Sequence, residues 1–147
     1  MANEQKNLNT LFELITILNQ LIFEPKMIQK IKLSKNEILI LGLIKEGSQP
    51  AMSELANRLG TSPAQITRSV TGLEKKSLVK RVINPTNRRI INVILTPAGN
   101  QLIGQHEQAV RTKLQKQLAA VSTADYNELD HALQQAVTIL KRTTLGG

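Results

Sequence analysis

Apolar positions along the chain repeat with two different periods, and the places where the period changes divide it into elements. From about residue 5 to 31 the spacing is helical. Leu8, Leu11, Phe12, Ile15, Leu18 and Ile22 form one stripe, and Leu14, Ile17 and Leu21 form a second on nearly the opposite side. This predicts one long helix with two apolar faces, and two faces need two partners. A single small core does not wrap such a helix, so a second chain is the expected cover. Leu33 to Glu46 is the next predicted helix. Ser34 and Glu37 have the spacing of a capping box, Leu33 and Ile38 that of a hydrophobic staple, and Gly47 marks the end.

Two shorter helices follow. In Ser53-Glu54-Leu55-Ala56-Asn57-Arg58-Leu59 the residues Leu55, Ala56 and Leu59 share a face, and Gly60 supplies a left-handed stop. The next runs from Thr61 to Lys75. Ser62 caps it, Pro63 suits its first position, and Gln65 stands where a capping box would close. At about 100° per residue Ile66, Val70 and Leu73 point inward. Ala64, Arg68, Thr71 and Lys75 occupy the opposite arc, with Gln65 and Thr67 beside it. Those side chains are short or basic, as a helix needs if a phosphate backbone and base edges are to approach it. An ordinary solvated face would read similarly in isolation, so the neighbours decide.

The period then changes. Leu78-Val79-Lys80-Arg81-Val82-Ile83 and Ile90-Ile91-Asn92-Val93-Ile94-Leu95 are rich in β-branched residues, and Asn84-Pro85-Thr86-Asn87-Arg88-Arg89 between them is a turn with paired arginines. Helix, turn, helix and a hairpin with a basic tip predict a winged helix-turn-helix. Thr96 and Pro97 then start a helix running to about Ala120, with Ile103, Val110, Leu114, Leu118 and Val121 on one face. Ser122-Thr123-Ala124-Asp125 breaks and restarts it. The last helix carries Tyr126, Leu129, Leu133, Val137 and Leu140 at near-heptad spacing. The tail Thr143-Thr144-Leu145-Gly146-Gly147 is expected to fray.

Taken together, Leu33-Ser34-Lys35-Asn36-Glu37-Ile38, the helix pair from Ser53 to Lys76 and the hairpin resemble the MarR family of bacterial transcription regulators. The hairpin of that family usually reads Asp-x-Arg, then five residues, then Leu-Thr and a Gly. This chain has Asn87-Arg88-Arg89, then Ile90 to Ile94, then Leu95-Thr96-Pro97-Ala98-Gly99. Asn87 stands where Asp is usual, so a charged contact to the wing arginine is replaced by neutral hydrogen bonding. The resemblance implies dimerisation through the N- and C-terminal helices and a wing arginine, matched here by Arg89, that enters a minor groove. It also implies one of three switches: a small molecule bound between the dimerisation helices and the winged helix, oxidation of a thiol, or a metal.

Composition narrows these. Cysteine is absent, which closes the thiol route and excludes disulfides and thiolate metal sites. His106 and His131 lie on different predicted helices with no ligand spacing, so no metal or other cofactor is expected. There is no phosphate-cradling glycine loop and no nucleophile-elbow pattern, so an enzyme has nothing to rest on. Lys plus Arg number 19 against 11 Asp plus Glu, a net charge of +8 that favours a polyanionic partner. No apolar run reaches membrane-spanning length and no signal pattern opens the chain, so a cytoplasmic location with no membrane partner is expected.

The expected protein is mainly α with a small β-hairpin wing, a single 147-residue domain with a winged helix-turn-helix over 33–99 and dimerisation helices over 5–31 and 97–143. Its expected role is a dimeric, sequence-specific repressor of a pseudo-palindromic duplex site, released by a small organic ligand. The alternative is a winged helix used for protein contacts, or one controlled by a protein partner. Ser62, Ala64, Gln65, Thr67, Arg68 and Thr71 are the candidates for the groove face, with Arg68 suited to guanine and Gln65 to adenine. Lys75, Lys76, Lys80 and Arg81 suit phosphates, and Arg88 and Arg89 the wing contact. For a ligand, the expected apolar lining is Phe12, Ile15, Ile38 and Ile103.

Overall fold

Pro25 cuts the first predicted helix in two. The computed structural model describes residues 2–47 and 49–142, so the C-terminal tail expected to fray lies outside the described residues. Helix α1 spans Ala2–Ile22 and α2 spans Pro25–Ile31. Proline lacks the N–H that would continue the helical ladder, and its ring keeps the preceding residue out of the helical region. Glu24 is accordingly extended, with φ −57° and ψ 135°, and Pro25 opens α2. The apolar pattern hid this break, because Ile28 keeps the phase of the second stripe across it, and Phe23, Ile28 and Ile31 all pack on the core.

Helix α3, Lys35–Glu46, starts as its sequence dictates. The Ser34 hydroxyl accepts from the Glu37 N–H at 3.1 Å, and the Glu37 carboxylate accepts from the Ser34 N–H at 2.9 Å. Such a cap contributes about 1 kcal/mol, and it sets Leu33 and Ile38 into the core, both buried. Helix α4, Met52–Arg58, and helix α5, Pro63–Lys75, are joined through Gly60, whose φ of +60° is the left-handed value the turn requires. Ile66, Val70 and Leu73 of α5 are buried beside Leu41, Leu55 and Ile40, and each such side chain adds about 1.5–3 kcal/mol of burial.

Strands β1, Val79–Ile83, and β2, Ile91–Leu95, pair antiparallel from Val79 opposite Leu95 to Ile83 opposite Ile91. The segment before α4 adds to the free edge of β2. Ala51 bridges to Asn92, and Val93 donates its N–H to the Pro50 carbonyl at 2.9 Å. Thr96 then ties the hairpin to α6, Pro97–Gln117. Its hydroxyl donates to the Ser77 carbonyl at 2.7 Å and accepts from the Gly99 N–H at 3.0 Å. Gly99 lies so close to the Leu78 carbonyl that a Cβ there would collide with its oxygen. The Leu-Thr-x-x-Gly run is therefore the joint where α6 crosses the start of the wing.

The chain divides into two compact units, with the boundary between Val110 and Arg111. In the first, α1 buries none of its residues, and both of its stripes carry exposed positions, among them Phe12, Ile15 and Ile17. The second contains α7, Thr123–Leu140, capped by Ser122, whose hydroxyl accepts from the Asp125 N–H at 3.1 Å. Tyr126, Leu129, Leu133, Val137 and Leu140 are all exposed along it.

Candidate nucleic-acid interface

Helix α5 presents the face its periodicity predicts. Ser62, Ala64, Thr67, Arg68 and Lys75 are exposed, and Gln65 and Thr71 are half-buried. The expected capping box is only half made. Ser62 accepts from the Gln65 N–H at 3.1 Å, but the Gln65 carboxamide oxygen accepts from Arg68 at 3.0 Å instead of from the cap backbone. The pair expected to read separate bases is thus cross-linked on one helix face. The Thr67 hydroxyl donates to the Pro63 carbonyl at 2.9 Å, one turn back on the same helix.

Arg81 departs from the picture of a free phosphate contact. Its guanidinium donates to the Thr71 hydroxyl at 2.8 Å and to the Thr67 carbonyl at 3.4 Å. Its Nε lies 3.2 Å from Glu74, near enough for an ion pair although not aligned for a hydrogen bond. Arg81 therefore joins β1 to α5. Lys76 is also engaged, 3.4 Å from both the Glu37 carboxylate and the Lys32 carbonyl. Lys75, Lys80, Arg88 and Arg89 are exposed, and among the described residues none of these four forms an ion pair.

The wing tip is built from Asn84 and Asn87, of which the sequence singled out only Asn87. Asn84 Oδ1 accepts from the Thr86 N–H, the Thr86 hydroxyl and the Asn87 N–H at 2.9, 2.7 and 3.1 Å. Asn87 Oδ1 accepts from the Arg89 N–H at 3.1 Å, so the neutral residue in place of Asp still fixes the backbone that carries the arginine. The signal available in sequence was Asn92, a lone polar residue inside a β-branched strand.

A cavity of about 360 Å³ lies in the first unit, lined by Met27, Lys30 and Ile31 of α2 and by Leu102, Gln105, His106 and Ala109 of α6. None of the four residues expected to line a ligand site borders it. Phe12 and Ile15 stand in solvent, while Ile38 and Ile103 fill the core. His106 is buried and bonds the Ile22 backbone, which leaves its Nε2 buried without a partner. Burial, the largest effect, holds its pKa below the ordinary 6.5, while Glu107 and the Ile22 contact oppose that shift. His131 is exposed. Among the described residues no group of three His, Cys, Asp or Glu side chains is placed to hold a metal, and no helix is long and apolar enough to cross a membrane.

Residues 33–91 match the model of the MarR family. The HTH-type transcriptional repressor MdtR of Bacillus subtilis is 27% identical over 103 residues, 68% of this chain. The matched part spans 61% of that repressor's length. YhbI of the same organism, an uncharacterized HTH-type transcriptional regulator, is 29% identical over 136 residues, 88% of this chain and 82% of that one. The transcriptional regulator BldR from Sulfolobus solfataricus superposes with a TM-score of 0.73 at 28% identity, covering 94% of this chain and 99% of its own. Each of the three is named as a transcriptional regulator or repressor.

Proposed function

Since this chain belongs to the MarR family of winged helix-turn-helix regulators, we propose that it is a homodimeric transcriptional repressor that binds a pseudo-palindromic duplex site. The observation that carries this reading is the exposed, unpaired basic set Lys75, Lys80, Arg88 and Arg89 beside the short-chain face of α5. A helix with that face suits a major groove, and a basic hairpin tip suits the groove next to it. Arg68 and Gln65 would make the base contacts, and opening their mutual hydrogen bond on a solvated face costs little. A winged helix used only for protein contacts would need neither the free cations nor the two arginines at the tip.

Two copies are needed on this reading, because the apolar stripes of α1 and α7 are exposed in one chain. A small organic effector would occupy the cavity between α2 and α6. Its walls, Met27, Ile31, Leu102 and Ala109, suit an apolar body. Neutral His106, donating through Nδ1, would offer Nε2 as an acceptor to a ligand O–H or N–H.

Titration of the protein against a mixed-sequence duplex at increasing salt tests the central reading. The expected result is binding whose logarithm falls linearly with the logarithm of salt, and enrichment of two-fold symmetric sites from a random pool. Absence of duplex binding at low salt rejects it.

A further inference from the structure

From the side chains behind the wing, we propose that Asn84 and Asn92 are positioning residues that hold Arg89 for its contact with DNA. This inference rests on the reading of the wing as a duplex-binding element. A continuous series of hydrogen bonds runs from the loop before α4 to the backbone of the wing arginine. Asn92 Nδ2 donates to the Gln49 carbonyl at 2.7 Å, and Asn92 Oδ1 accepts from Asn84 Nδ2 at 3.0 Å. Asn84 Oδ1 takes the three donors of the tip, and Asn87 Oδ1 takes the Arg89 N–H.

The direction of the series is fixed at both ends. The Gln49 carbonyl only accepts, and the backbone N–H groups at the tip only donate, so neither carboxamide can turn over without facing like with like. The register makes the middle link possible. Val82 lies opposite Asn92, and Asn84, two residues further along, shares its face of the hairpin. The anchoring segment is itself held, since Pro50 and Ala51 bond to Val93 and Asn92. Neither asparagine belongs to the buried core. An isolated two-stranded hairpin is marginally stable in water. A wing tied only by its own strands would place a long arginine loosely, and ordering it on binding would cost affinity.

Asn92→Leu keeps the size of the side chain and removes the link without adding charge. Its affinity for a duplex the parent selects from a random pool should fall roughly three- to tenfold, with little change in unfolding midpoint. In an Arg89→Ala background the same substitution should change affinity by less than about twofold, because the group being positioned is gone. Asn84→Ala, at the exposed tip, should behave the same way and serves if Asn92→Leu folds poorly. Equal losses with and without Arg89, or no loss in either variant, would overturn the positioning role while leaving the parent's duplex binding intact. A parent that selects no duplex would overturn both.

Discussion

The Arg81 guanidinium, on the first strand of the wing, donates to the hydroxyl of Thr71 on the helix beneath it at 2.8 Å. The two residues are ten apart in sequence and belong to different elements, and Glu74 completes the clasp. Wing and helix are thereby held as one surface.

Arg81→Ala should lower both stability and duplex affinity, the former by roughly 1 kcal/mol, since the group is about a third exposed. Arg81→Lys should recover little, because an ammonium cannot span Thr71, the Thr67 carbonyl and Glu74 as a planar fork does. Denaturant unfolding checks the first outcome, and full recovery in the lysine variant would show that charge alone matters there.

Replacing Arg88 and Arg89 together by Ala should weaken duplex binding by about 1–3 kcal/mol for each arginine that touches DNA. Thermal stability should be nearly unchanged, because both side chains are exposed and outside the core. Undiminished binding by the double variant would remove the wing tip from the interface.

Gly99→Ala tests the joint between wing and α6. The added methyl meets the Leu78 carbonyl, which is part of the backbone and cannot rotate away. A loss of about 1–3 kcal/mol in unfolding free energy is expected, typical of overpacking. A neutral substitution would mean that α6 slides easily on the hairpin.

Below neutral pH, His106 should weaken the fold. Its folded pKa lies below 6.5, so the unfolded chain takes up a proton that the folded one resists. The stabilisation is complete above 6.5 and is lost as pH falls through the lowered value. Urea midpoints measured from about pH 7.5 to about pH 5 should therefore drop. The drop should be smaller in His106→Gln, which cannot charge, and an identical pH slope in both proteins would exclude His106 as its source.

Light scattering should give the mass of a dimer at every concentration at which the protein stays folded. Leu133→Asp, which puts a charge into the apolar stripe of α7, should yield aggregates or unfolded chain. A folded monomer at micromolar concentration would contradict the proposed assembly.

Helix starts were the most legible feature of the sequence, because a cap is local. Ser34 with Glu37, Ser62 with Pro63, Thr96 with Pro97, and Ser122 each begin a helix where their spacing says they should. The inward set Ile66, Val70 and Leu73 was legible for the same reason, since one period governs it. Pro25 was missed because apolar periodicity ran on across it. Gln65 followed the box pattern until Arg68, one turn along, offered a stronger donor. The commitments of Arg81 and Lys76, the links of Asn92 to Asn84 and to the Gln49 carbonyl, and the burial of His106 depend on residues brought together from different elements, and no spacing rule contains them.

The wing is completed from outside itself. Its inner strand is bordered by Pro50 and Ala51, and its tip is tied through Asn92 to the Gln49 carbonyl, 43 positions before that asparagine. A hairpin moved alone into a relative would arrive with a bare edge and without its anchor. In this protein the transplantable unit is thus discontinuous: the short run before α4 has to travel with the two strands, and chimeras cut at the hairpin ends should bind DNA less well than chimeras that carry both pieces.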